Sequence, residues 1–188
     1  MTRCVAIAVA ALLAATPAWG HTFPPVRTVV VQVESCEVVL LVGYRPGTGE
    51  PTEAILARVA SQPKSQMLDA LRGVMTAYAM APFTVNLDGK PLVPTTVRAK
   101  IGLESGGARP MVVVLVTYAM ATKGSLSVTS RDPRSTQISW QDRGASRVDL
   151  HDAPAQGKRF NGVASFLLSL SAPTGDSCAT SQASESSR

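Results

Sequence analysis

The amino-acid sequence predicts a mainly β protein, an antiparallel β-sandwich of about nine strands with one helical insertion at about residues 52–80. Short Val-rich or alternating segments recur along most of the chain and are separated by turn residues. Only one stretch, early in the chain, has helical periodicity. The length of 188 residues suits one hydrophobic core. We therefore expect a single β-sandwich-like domain at 21–173, with a signal peptide at 1–20 before it and a polar flexible tail at 174–188 after it.

The first twenty residues are typical of a secretory signal peptide. A short cationic start precedes an uninterrupted run of apolar and small residues at 4–15, and Ala18 and Gly20 are small residues placed for signal peptidase. We expect cleavage between Gly20 and His21, with cleavage after Ala18 as the alternative. The run is shorter than the about 20 apolar residues of a transmembrane helix, and no later run is long enough. The mature chain is therefore expected to be secreted or periplasmic, without a transmembrane segment.

The first elements follow from local composition. Two Val-rich runs, 27–34 and 36–44, predict a hairpin because β-branched residues favour strands and a single residue separates the runs. In the helical insertion, apolar residues recur from Met67 onward with the period of an amphipathic helix. Methionine thioethers are ligands that Cu(I) accepts, but Met67 and Met75 share one face with Leu and Val residues. That face is typical of packing against a core.

The remainder of the chain has the pattern of strands. Residues 83–93 alternate around Asp88-Gly89, which is a strong hairpin signal. Residues 95–103 alternate with period two, and the apolar run at 111–118 is typical of a strand buried on both faces. Further strands are predicted at 125–130, 136–141, 147–150 and 162–171.

Cysteine usage predicts one disulfide. Cys4 leaves with the signal peptide, and Cys36 and Cys178 remain. An even pair in an oxidising compartment usually forms a bridge, and closing so long a loop stabilises the fold by about 4 kcal/mol in the chain-entropy model. The alternative is two free thiols or a dithiol metal or redox site, for which the sequence has no C-x-x-C spacing.

Charge and motifs exclude several function classes. The formal net charge of +5 falls by one when Arg3 is removed, and the basic residues are scattered without interleaved aromatic residues, so we expect no nucleic-acid surface. The sequence has two histidines and no zinc-protease, nucleophile-elbow or phosphate-loop motif. A non-enzymatic protein is therefore favoured over an enzyme. A hydrolase would require Asp142, Arg143, Asp149 and His151 to converge in one cleft.

A copper site is the sharpest function that the residues suggest. Cleavage before His21 would leave an α-amine and an imidazole on one residue, and period-two alternation places Asp149 and His151 on the same side of a predicted strand. Nitrogen ligands with one oxygen suit Cu(II). In these residues the chain resembles the secreted copper-resistance proteins of the copC-type β-sandwich. The resemblance implies that His21, Asp149 and His151 bind copper; alternatively, His21 is an exposed terminal residue and His151 a structural or surface residue.

A second resemblance concerns the start of the mature chain and the turn at 88–91. A leading histidine and the Asp-Gly-Lys-Pro hairpin make the chain similar to periplasmic β-rich portions of urease/hydrogenase accessory membrane proteins. That resemblance implies a partner protein of an envelope complex, and docking through a strand edge is one way to form it. The leading hypothesis is a secreted or periplasmic, non-enzymatic binding or structural protein of unknown ligand. A copper carrier, an envelope-complex partner and a hydrolase are the alternatives.

Overall fold

The protein is mainly β, as the sequence predicts. The structure, a computed structural model, describes residues 23–103, 110–173 and 178, so the predicted signal peptide, His21 and most of the predicted tail lie outside it. Within these residues ten strands form two sheets. The strands are β1 Val26–Val33, β2 Glu37–Arg45, β3 Phe83–Leu87, β4 Lys90–Pro91, β5 Thr96–Leu103, β6 Pro110–Ala119, β7 Gly124–Ser130, β8 Thr136–Asp142, β9 Phe160–Asn161 and β10 Ser165–Leu170.

The helical insertion consists of two helices. α1 spans Glu50–Ala60 and α2 spans Met67–Met80, with a short 3-10 turn at Lys64–Gln66 between them. Pro63 directly precedes this turn, and proline lacks the N–H that a continuous helix would need. Met75 of α2 is completely buried in the core, which confirms the packing interpretation for this methionine.

The larger sheet has six strands in the order β5-β6-β2-β1-β8-β9. The predicted β1–β2 hairpin is confirmed, with Val33 opposite Val38. The sheet is not purely antiparallel, however, because β1 and β8 run parallel. These strands are distant in sequence, so no tight turn forces them to be antiparallel.

The smaller sheet has four strands in the order β10-β7-β3-β4. The prediction of a strand at 147–150 is wrong. In this segment Val148 alone pairs, through an isolated β-bridge to Leu170, and a turn follows it. Asp149 accepts a hydrogen bond from the backbone N–H of His151, which favours a turn over an extended strand.

Both sheets and both helices contribute to one core. β1 buries every second residue, and the buried residues include Val29 and Val31. Leu126 of β7 and Phe166 of β10 belong to the same cluster, as does Ile55 of α1. The smaller sheet and the helices therefore lie on one side of the six-stranded sheet, which we call its inner face.

Cys36 and Cys178 form a disulfide, as predicted. Their Cα atoms are 5.2 Å apart, and the bridge joins positions 142 residues apart in sequence. Cys36 lies in the turn between β1 and β2, so the bridge fastens the C-terminal segment to the end of that hairpin. Among the residues that the structure describes, no helix is long and apolar enough to cross a membrane.

A buried arginine fastens the chain near the disulfide. Arg147 is 1% exposed, and its guanidinium donates hydrogen bonds to backbone carbonyls of three separate segments. The acceptors are the carbonyls of Glu34, Ser35, Met120, Thr122 and Ser171. Burial lowers the pKa of Arg147. These bonds hold the β1–β2 turn, the connection after β6 and the end of β10 in fixed positions.

Candidate functional site

The outer face of the six-stranded sheet forms a long depression, which we call the outer groove. The registers of the strands place its residues in three parallel rows that run across β5, β6, β2, β1 and β8. The rows are Lys100, Val113, Gly43, Thr28, Gln137; Arg98, Leu115, Leu41, Val30, Ser139; and Thr96, Thr117, Val39, Gln32, Gln141.

Two cavities follow one another along this groove. The first, of about 430 Å³, has a mostly apolar lining that includes Val30, Leu41 and Val113. The second, of about 490 Å³, has a charged lining. Residues two apart on one strand face share a side and are about 7 Å apart, so Leu41 of the first cavity continues directly into Val39 of the second. From Val26 to Gln32 the groove extends about 20 Å.

Gly43 lies in the apolar cavity, on the central strand β2. Its cross-strand neighbours are Thr28 and Val113, and it has no side chain to fill the space between them. A Cβ atom at this position would meet only the carbonyl oxygen of Thr28, at an ordinary contact distance of 3.9 Å. The fold therefore does not require glycine for steric reasons. Glycine inside a strand weakens the strand and often marks the close approach of a ligand.

The charged end of the groove contains two acids near the disulfide. Glu34 and Glu37 line it together with Cys36 and Cys178. Burial raises the pKa of Glu37, and the charge of Glu34 and a hydrogen bond with its side chain raise it further. Glu37 therefore carries less negative charge in mildly acidic solution than an isolated carboxylate would.

Two arginines also line the charged end. Arg98 projects from β5, and Arg143 follows β8. Neither guanidinium makes a hydrogen bond or an ion pair with another residue of the described part of the chain. Both are exposed. They are thus available to an anionic group of a ligand.

The predicted metal ligands are not assembled by the described residues. His21 lies outside them. Asp149 and His151 are exposed and adjacent in a turn, where Asp149 accepts the His151 backbone N–H at 3.0 Å. Within residues 23–103, 110–173 and 178, no group of three or more His, Cys, Asp or Glu side chains is placed to hold a metal ion. Copper binding through His21 stays a prediction.

The four residues that a hydrolase would require do not line one common cavity. Arg143 lines the charged end of the outer groove, whereas Asp149 and His151 line neither of the two cavities. Asp142 accepts a hydrogen bond from the backbone N–H of Ala145 at 2.8 Å, as expected for an aspartate in a turn. These positions do not form one acid–base cluster.

Sequence reasoning missed the outer groove. Gly43 was the available signal, because it interrupts the Val- and Leu-rich run of β2 and glycine inside a strand often marks the close approach of a ligand. Comparison with known proteins adds no candidate: no protein-family model matches the chain, and no curated protein matches it. The site is therefore argued from its own geometry.

Proposed function

We propose that this protein is a secreted or periplasmic, non-enzymatic binding protein, and that its ligand is an elongated apolar small molecule lying in the outer groove. Each cavity has a volume in the range of small-molecule sites, about 300–1,000 Å³. Gly43 is the observation that carries the proposal, since it keeps the apolar cavity open at a cost to strand stability.

The proposal includes export and a β-sandwich arrangement. The leader-like residues at the start of the chain support export, and so does the Cys36–Cys178 disulfide, since such bridges persist in oxidising compartments. The shared core of the two sheets supports the sandwich. In that arrangement the inner face is covered by protein and the outer face remains accessible to a ligand.

A fluorescence titration with N-phenyl-1-naphthylamine tests the proposal, because this apolar probe emits strongly only in apolar surroundings. We expect the wild-type protein to bind the probe. Gly43→Leu places a side chain in the apolar cavity without a backbone clash. It should weaken binding by about tenfold or more, which corresponds to about 1.4 kcal/mol.

Gly73→Leu is the matched control. Gly73 lies on the exposed side of α2, and a Cβ atom there meets nothing within 4 Å. This variant gains the same apolar side chain away from the groove and should bind the probe like the wild type. Urea unfolding of both variants verifies that they are folded. Absence of binding by the wild type, or equal binding by the two folded variants, would refute the proposal.

A further inference from the structure

Resting on this proposed function, we propose that the ligand is an amphiphile whose anionic head group binds Arg98 and Lys100 on the β5 side of the outer groove. Its apolar tail then lies over Val113, Leu41 and Gly43. A carboxylate and a phosphate share the required chemistry, because both are planar or tetrahedral oxyanions that accept several charge-assisted hydrogen bonds.

The two cations are placed to bind one anion together. Arg98 and Lys100 are two residues apart on the same face of β5, about 7 Å along the strand. Arg98 is opposite Leu115, and Lys100 is opposite Val113. Arg98 therefore lines the charged cavity beside Leu115, and Lys100 lies on the strand next to Val113 of the apolar cavity.

No described carboxylate neutralises this pair. Both side chains are exposed and make no hydrogen bond or ion pair with another described residue. Glu34 and Glu37 line the same charged cavity as Arg98, but Glu37 is four residues along β2 from Leu41, which lies in the row of Arg98. That separation is about 14 Å, and charges more than about 8–10 Å apart are largely screened at physiological salt.

Edge protection is the competing explanation for these cations. β5 ends the order of the six-stranded sheet, and charged side chains on edge strands prevent edge-to-edge aggregation. That role requires charge anywhere along the edge. It does not require both charges to lie on the face that borders Val113 and Leu115, and it predicts no preference for anionic ligands.

Displacement of N-phenyl-1-naphthylamine by three ligands with equal alkyl chains tests the inference. Laurate and dodecyl phosphate carry the two anionic heads, and dodecanol is neutral. We expect at least one anion to bind the wild type about tenfold more tightly than dodecanol; the better anion identifies the head group. In Arg98→Gln/Lys100→Gln this preference should fall to about twofold or less, while dodecanol affinity stays unchanged.

Lys90→Gln/Arg134→Gln is the matched control, because it removes the same charge at exposed positions on β4 and on the 3-10 turn before β8. It should retain the preference for the anionic ligand.

Equal affinity of the wild type for all three ligands would overturn the inference and leave the proposed function standing. An equal loss in both double variants would also overturn it, since net charge would then explain the effect. Failure of every ligand and of the probe would overturn both proposals.

Discussion

Replacement of Arg147 by methionine tests how the fold supports the charged end of the groove. The guanidinium of Arg147 is 1% exposed and donates to carbonyls of three segments, with distances of 2.8 Å to Met120 and 2.7 Å to Thr122. Methionine has a similar length and no donor, so Arg147→Met removes the bonds while keeping much of the packing. The substitution releases all five backbone carbonyls to which Arg147 donates.

The expected loss follows from the environment of each acceptor. A hydrogen bond to a charged group contributes about 1.5–3 kcal/mol, but several acceptors are on exposed residues that water reaches after the substitution. The carbonyl of Met120 is buried, so water does not replace the hydrogen bond that it loses. Removing the desolvated charge of Arg147 offsets part of the loss. We therefore expect the free energy of unfolding to fall by about 3 kcal/mol, well below the sum of the individual bonds.

Urea unfolding followed by tryptophan fluorescence measures this loss, because Trp140 is 1% exposed and is the sole tryptophan beyond the predicted leader. Arg134→Met is the control. Arg134 is exposed, and its substitution should change stability by about 0.5 kcal/mol or less. A loss below about 1 kcal/mol for Arg147→Met, or equal losses for the two variants, would refute the argument that Arg147 fastens these segments.

Two further predictions concern charged groups. The pKa of Glu37 is raised above its usual 4.5 in the folded protein. The folded state therefore binds more protons than the unfolded state just above pH 4.5. As the pH rises through this window, the free energy of unfolding should fall. Glu37→Gln should flatten the fall in a pH series of urea unfolding, and an unchanged slope would contradict this origin. Asp132→Asn removes the carboxylate that Arg27, 6% exposed, contacts at 2.7 Å. Loss of this hydrogen bond between charged groups should cost about 2 kcal/mol, measured by thermal unfolding. Asp69→Asn, from an exposed helical ion pair, should cost about 0.5 kcal/mol or less; similar losses would contradict the difference in burial.

Local patterns made most of the strands predictable. The Val-rich composition of β1 and β2 was enough to predict both strands, and Asp88-Gly89 forms the turn between β3 and β4. The prediction of a strand at 147–150 failed because the alternation of polar and apolar residues there does not arise from strand pairing. Arg147 is buried through its hydrogen bonds to carbonyls, and the turn at Asp149 follows immediately.

Non-local features were beyond the reach of these patterns. The parallel pairing of β1 with β8 joins residues more than a hundred positions apart in sequence, and the cross-strand rows of the outer groove depend on that pairing. The apposition of Arg98 with Leu115, and of Gly43 with Val113, exists only once the registers are known. The candidate site therefore could not be assembled from spacing alone, although its individual residues were visible.

The central strands of the six-stranded sheet carry apolar residues on both faces. A sheet with one face in water usually alternates apolar and polar residues, whereas near-continuous apolar runs are typical of strands covered on both sides. β2 and β6 have such runs, with Leu41 and Val113 on the outer face. Both helices and the smaller sheet contribute to the inner core, so these described elements do not explain the apolar outer face. The apolar ligand that we propose would cover this face, and it would account for the glycine in the apolar cavity as well.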